Sequence, residues 1–238
     1  MVSACRYAGR IGSYATRSPA VALEDTHLDL SALYPVVASV AAYLLGSLSF
    51  AVIVSRFLGL NDPRTYGSRN PGATNVLRSG SRKAAALTLL LDAVKGWFPV
   101  FCVQHWGAPL GLEEGTVALV GLAAFLGHLY PVFFRFQGGK GVATAAGVLF
   151  GVHWVLGLAT LVTWILIVVF FRLSSLAALT AAVFAPVYYV FGGGLVWFFE
   201  GKVMFAVSVM SLLLVYRHAQ NIGRLLRGTE PRLGASKR

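Results

Sequence analysis

Six long apolar stretches, divided by short segments rich in charge, Gly or Pro, dominate this sequence and leave few folds open to it. A helix rising about 1.5 Å per residue needs roughly 20 apolar residues to cross a hydrocarbon core of about 30 Å, and several of the stretches approach that length. With 57% of 238 residues hydrophobic and only 12% charged, the chain holds more apolar surface than one soluble core of this size can bury. The expectation is an all-α, polytopic membrane protein.

Reading the apolar runs between their breaks predicts spans over Leu33–Leu58, Ala84–Val103, Thr116–Phe134, Leu176–Phe191 and Val203–Tyr216. Residues 142–171 form a 30-residue apolar stretch broken near Gly151, His153 and Gly157, too long for one ordinary span and short for two full ones. Two short helices meeting near the outer face bring the expected total to seven transmembrane helices. Arg64, Arg69, Arg78, Arg82 and Lys83 lie in one connection, Arg135 and Lys140 in another, Arg172 in a third, and six further basic residues follow Tyr216. The opposite connections hold Lys202 with Glu113, Glu114 and Glu200. The positive-inside rule then places the amino terminus outside and the carboxyl terminus in the cytoplasm. A single span over 142–171 would put the basic tail outside, against that asymmetry. No internal repeat suggests the inverted halves of a transporter.

The domain reading is an extension over residues 1–30, a transmembrane domain over 31–216, and a basic cytoplasmic tail over 217–238 that carries the last motif. The extension places Arg6, Arg10 and Arg17 among Ser and Ala. That composition resembles a transit peptide, but the plainer account, a disordered extension or an over-early start codon, is preferred, and disorder is the expectation adopted. The formal net charge of +11 does not argue for nucleic acid, because the basic residues alternate with apolar spans and suit anionic lipid headgroups. Cys5 and Cys102 make neither a disulfide framework nor a metal-ligand set.

Four segments on the expected cytoplasmic side carry unusual chemistry. The first reads Tyr66-Gly67-Ser68-Arg69-Asn70-Pro71-Gly72-Ala73-Thr74-Asn75-Val76-Leu77-Arg78. Asn-Pro and Pro-Gly pairs mark turns in any protein, yet Ser68, Asn70, Asn75 and Arg78 also gather donors at a membrane surface, where Arg grips phosphate bidentately. The second, Gln137-Gly138-Gly139-Lys140-Gly141, opens directly into an apolar helix. Glycine N–H groups, a helix start and the Lys140 charge suit a phosphate, although a tight turn with an interfacial Lys needs no ligand. The spacing is not that of the nucleotide P-loop. In the third, Ser174 and Ser175 follow Arg172-Leu173 and serve equally as a helix cap. In the fourth, His218 and Asn221 share a helical face ahead of Arg224 and Glu230; a basic helix lying on anionic lipid is the alternative. Asp92 and Lys95 stand about 12 Å from the inner end of their span, either as a structural ion pair or as functional groups.

Together these segments resemble the membrane-bound acyl-phosphate:glycerol-3-phosphate acyltransferases of bacterial phospholipid synthesis. The likeness covers about Gly46 to Leu233. It rests on Gly46-Ser47 with Phe50-Ala51, the Gly67 to Arg78 segment, Asp92-x-x-Lys95-Gly96, Gly127-His128 with Pro131-Val132, Gly138 to Thr144, and His218-x-x-Asn221-Ile222 with Arg224-Leu225 and Gly228-x-Glu230. The resemblance implies seven helices in the inner (cytoplasmic) membrane with the site facing the cytoplasm. It implies acyl transfer from acyl phosphate to the 1-hydroxyl of sn-glycerol 3-phosphate, giving lysophosphatidic acid and phosphate, with no cofactor, metal, acyl-CoA or acyl carrier protein. Partners are then the two substrates and membrane lipids. Of the family's pattern, Ser68, Arg78, Lys140 and His218 are the expected catalytic set, with Asn70, Asn75, Gly138, Gly139, Gly141, Ser174, Ser175, Asn221 and Glu230 binding substrate. Departures are Arg69 where a small residue is usual, Ser49 for a Pro, and Gln137 for a Lys, which removes one cation beside the proposed cradle.

An acyl phosphate is already activated, so the site's task is to hold two phosphorylated molecules together against their repulsion. His218 is the obvious base for the attacking hydroxyl, and a substrate phosphate oxygen is the alternative. A transporter for a phosphorylated metabolite and a non-catalytic lipid-binding scaffold are the rival classes.

Overall fold

The computed structural model describes residues 30–233. The extension expected over residues 1–30 lies, apart from Leu30, outside the described residues, as does the end of the tail. A 3-10 turn at Leu30–Leu33 leads into α1 (Tyr34–Gly46), followed by α2 (Phe50–Phe57), α3 (Ala73–Leu77), α4 (Arg82–Trp106), α5 (Glu114–Leu129), α6 (Val142–Val152), α7 (Trp154–Phe171), α8 (Ser174–Gly192), α9 (Gly201–Arg217) and α10 (Ala219–Leu226). Among the described residues there is no strand beyond an isolated bridge between Gly193 and Trp197.

Four helices, α4, α5 with the 3-10 turn that prolongs it to Phe134, α7 and α8, are long and apolar enough to cross a membrane. The count rises to six if α1 with α2, bent by 44°, and α9 with α10, bent by 58°, each make one span. The 142–171 stretch divides at His153, whose Nδ1 accepts from Val155 N at 3.3 Å to cap α7. Only α6, with 11 residues, is short; α7 has 18 and reaches full length.

The first stretch is not one helix. At Ser49 the backbone turns to φ −83°, ψ 87°, and the carbonyl of Leu48, freed by the break, accepts from Lys95 Nζ at 2.6 Å. No Pro or charge in the sequence marks this break. Lys95 supplies from another helix the hydrogen bond that the local backbone loses.

Small residues set the packing. A Cβ on Gly46 would meet Ala124 O at 2.1 Å and one on Gly127 would meet Tyr43 O at 2.3 Å, so α1 and α5 touch backbone to backbone. Gly96 and Gly147 do the same for α4 and α6, with would-be Cβ distances of 2.2 Å to Thr144 O and 1.9 Å to Ala93 O. In lipid, where apolar surface gains little by leaving its solvent, such close approach supplies the dispersion contacts that hold helices together. α5 is the most buried span, whereas α7 turns Ile165, Val169 and Phe170 outward. This packing draws the α2–α4, α5–α6 and α7–α8 connections and the segment after α9 to one end of the bundle, around a shared cavity.

Candidate active site

The cavity encloses about 230 Å³, with a polar mouth and an apolar arm. Ser68, Asn70, Asn75 and Arg78 reach the mouth from the first loop, Lys140 and Gly141 from the second, Ser174 and Ser175 from α8, and His218, Asn221 and Glu230 from the last segment. Gly138 and Gly139 do not line it.

Local geometry explains each placement. Gly67 at φ +59° and Arg69 at φ +56° flank Ser68 and turn the first loop. Asn75 is buried and fully engaged: its Oδ1 accepts from Ser68 N at 3.0 Å and its Nδ2 donates to Pro63 O at 2.6 Å and Tyr66 O at 3.2 Å. Its side chain therefore shapes the loop. Arg78 is exposed at the mouth with no ion-pair partner among the described residues. Gly141, at φ +83°, begins α6 without a side-chain cap, so the first N–H groups of α6 and its partial positive charge meet the cavity at Gly141, Val142 and Ala143. Ser175 is buried beneath the mouth, and its hydroxyl makes no hydrogen bond of normal geometry.

A relay of charged and amide groups spans the mouth. Arg224 Nε donates to Glu230 Oε2 at 2.6 Å, Asn221 Nδ2 donates to Glu230 Oε1 at 2.6 Å, and Lys140 Nζ donates to Asn221 Oδ1. Burial pushes the Lys140 ammonium down to about 8; Glu230 opposes this, while Arg224, Arg78 and Arg217 add to it. Glu230 is raised by burial but lowered more by Ser175, Arg224 and Asn221, and its carboxyl ends below the usual range. The carboxylate thus stays ionised at neutral pH, and its hold on Asn221 and Arg224 is lost only as the pH falls through that depressed value.

His218 is 2% exposed. Its Nδ1 lies 2.8 Å from the Leu214 carbonyl, which can only accept, so Nδ1 carries the proton and Nε2 offers the lone pair. Burial first, then Lys140 and Arg217, push the imidazole down to about 4 against the opposing pull of the Leu214 carbonyl and Glu230. At neutral pH His218 is an uncharged acceptor.

Below the mouth the arm runs between α6, α7, α8 and α9, walled by Leu149, Leu161, Ala178, Ala182, Ala185 and Met210. From Ser174 to Ala185 along α8 it descends about 16 Å at the helical rise. A cationic mouth on an apolar slot accommodates a molecule with a phosphate at one end and a hydrocarbon chain at the other.

One position at the mouth escapes sequence reasoning. Arg217, read only as one more cytoplasmic charge, donates from Nη2 to Gly138 O at 2.9 Å and Gly139 O at 3.1 Å, and from Nε to Gly139 O at 3.2 Å. Its place directly before His218 was the available signal. Asp92, weighed from the sequence as an ion pair or a functional group, borders the cavity with His128.

The model of the glycerol-3-phosphate acyltransferase family matches residues 36–228. The chain is 65% identical over 209 residues to the glycerol-3-phosphate acyltransferase of Albidiferax ferrireducens, covering 88% of this chain and 93% of the relative. It is 63% identical over 197 residues to that of Bordetella petrii, covering 83% and 92%. Among solved structures, the fold is similar to PlsY, an integral membrane glycerol 3-phosphate acyltransferase. Its glycerol 3-phosphate form matches with a TM-score of 0.76 at 39% identity over 84% of this chain and 96% of that one. The lysophosphatidic acid form matches with a TM-score of 0.75 at 38% identity, over 84% and 95%. The chain belongs to the glycerol-3-phosphate acyltransferase family.

Proposed function

We propose that this glycerol-3-phosphate acyltransferase takes its acyl group from an acyl phosphate and places it on the 1-hydroxyl of sn-glycerol 3-phosphate, releasing lysophosphatidic acid and inorganic phosphate. The observation that carries the reading is the continuity of the mouth with the arm: cations, helix N–H groups and amides stand at one rim, and an alanine-walled slot leads away from them. The α6 start, Lys140 and Ser68 hold one phosphate. Arg78, His218 and Asn221 orient the glycerol phosphate.

In the reaction the hydroxyl oxygen attacks the carbonyl carbon, the bond from that carbon to the bridging oxygen breaks, and phosphate leaves with the electron pair. The hydroxyl proton passes to a phosphate oxygen. His218, held near 4, is too weak a base for that proton at neutral pH, and accepts a hydrogen bond from the hydroxyl through Nε2 so as to aim it. Phosphate, with a second pKa of about 6, is the better acceptor.

The same reading places seven spans in the inner membrane, with α1–α2 as one bent span, α6 as a short one, the amino terminus outside and the mouth in the cytoplasm. Arg78, Arg135 and Arg217 flank the mouth end, while Glu113, Glu114 and Glu200 mark the other, in line with the positive-inside rule. The test is turnover by the purified protein in lipid, with palmitoyl phosphate and glycerol 3-phosphate, following phosphate and lysophosphatidic acid together. Equimolar release of both is expected. Turnover with palmitoyl-CoA and none with palmitoyl phosphate would overturn the donor assignment, and uptake of glycerol 3-phosphate into sealed vesicles without a donor would favour a transporter.

A further inference from the structure

Asp92, Lys95 and His128 form a buried ionisable cluster that the reaction above does not use. Asp92 and Lys95 are each 2% exposed and His128 7%. The Lys95 ammonium stands 2.8 Å from Asp92 Oδ1, off hydrogen-bond angle, while donating to Leu48 O; His128 Nδ1 lies 3.7 Å from the same carboxylate oxygen. Three elements are tied here: the break between α1 and α2, the middle of α4 and the end of α5.

His128 also touches both loops of the mouth. Gly139 N donates to His128 O at 3.2 Å. A Cβ on Gly139 would meet His128 Nε2 at 2.2 Å and Pro71 O at 2.9 Å, and one on Gly138 would meet His128 O at 2.1 Å. The Gly138–Gly139 turn is therefore clamped between His128 on one side and the Arg217 guanidinium on the other. Since neither glycine lines the cavity, the clamp acts through the residues next in the chain, aiming Lys140 and the start of α6. Pro71 rests against the same point, so the first loop shares the seat.

We infer that the Asp92–Lys95–His128 cluster is the seat of both phosphate-binding loops, with His128 and Asp92 as positioning residues that fix where Lys140 meets a substrate phosphate. The inference rests on the acyl-transfer reading of the same mouth. A well-packed apolar cluster would fill the space at least as stably, but it would not hold the His128 ring against one carboxylate oxygen. Removing one member leaves the others buried and shifts the turn. A small shift of a substrate-holding group, well short of unfolding, is enough to weaken binding and turnover.

The test compares wild type with His128→Ala, Gly139→Ala and the double variant, reconstituted in lipid, measuring kcat and both KM values alongside thermal unfolding. Folded His128→Ala is expected to raise the KM of the substrate held by Lys140 about tenfold, with the other KM moving far less, as losses of a supporting contact commonly do. Gly139→Ala is expected to do the same, and the double variant to lose little beyond the worse single one, because both act on one turn. Should His128→Ala not fold, Asp92→Asn keeps the side chain's shape and carries the test with a KM rise of about threefold. Calorimetric affinity for inorganic phosphate reads the seat without turnover, so an enzyme inactive with acyl phosphate sinks the donor assignment and leaves the seat testable. Unchanged KM values and phosphate affinity in folded variants, or losses that simply multiply in the double variant, would overturn the inference.

Discussion

At the mouth of the cavity four polar groups hold one another in a row, from Arg224 through Glu230 and Asn221 to Lys140. The arm below is walled largely by alanines of α8 and a few larger apolar side chains. Each group in that row is placed by a partner, so few of them can change alone. The arm has only to exclude water and leave room; its alanines matter for what they omit, and a larger side chain acts there as a stop. A single cavity thus combines a site that is sensitive to chemistry with one that is sensitive to volume.

The largest expected effect falls at the mouth. Lys140→Ala removes the cation that the relay aims, and kcat/KM should fall about a thousandfold, at the upper end of what one preorganised electrostatic group contributes. With the ammonium near 8, the KM of wild type for the substrate it holds should rise as the pH passes from 7 to 9 and the charge is lost; a flat profile would remove Lys140 from binding. His218→Ala comes next, at about a hundredfold in kcat/KM, expressed mainly through the KM for glycerol 3-phosphate. An acid limb near pH 6.5 that disappears in this variant would restore His218 as the base.

A change of volume in the arm should be smaller and selective. Ala182→Phe, about three-quarters of the way down the slot, should cut turnover of palmitoyl phosphate about tenfold while sparing a donor of ten or fewer carbons, in the range that pocket shape discriminates. Equal loss with both donors would mean that the chain lies elsewhere. Smallest is Arg69→Gly. A left-handed residue with a side chain costs about 1–2 kcal/mol, and glycine returns roughly half of that to the unfolded chain, so a gain of about 0.5 kcal/mol in stability with unchanged kcat is expected.

The same contrast explains what could be read in the sequence. Ser68, Arg78, Lys140, His218 and Asn221 stood out because polar residues are rare in an apolar chain, and the cavity gathers all five. The helix pair at His153 was legible from its length. The break at Ser49 was not, since the hydrogen bond that permits it comes from Lys95, 47 residues away. Asn75 looked like a ligand, yet its amide is spent on its own loop, and nothing in its spacing distinguishes the two uses. Gly138 and Gly139 looked like a cradle because glycine lets backbone N–H groups close around an anion; here Gly139 N is spent on His128 O, and His128 and Leu129 fill the space beside the two glycines. The arm was invisible, because an alanine stripe along a helix reads the same whether it faces a partner helix or an empty slot.

The central claim, a single cytoplasmic mouth for two anionic reactants, is met most directly by cysteine labelling in a background lacking Cys5 and Cys102. Single cysteines at Ser68, Thr74 and Arg224 should react with a membrane-impermeant maleimide only from the cytoplasmic side, and glycerol 3-phosphate together with a non-hydrolysable acyl phosphonate should slow all three reactions. Labelling of any of the three from the opposite side, or protection of one without the others, would contradict it.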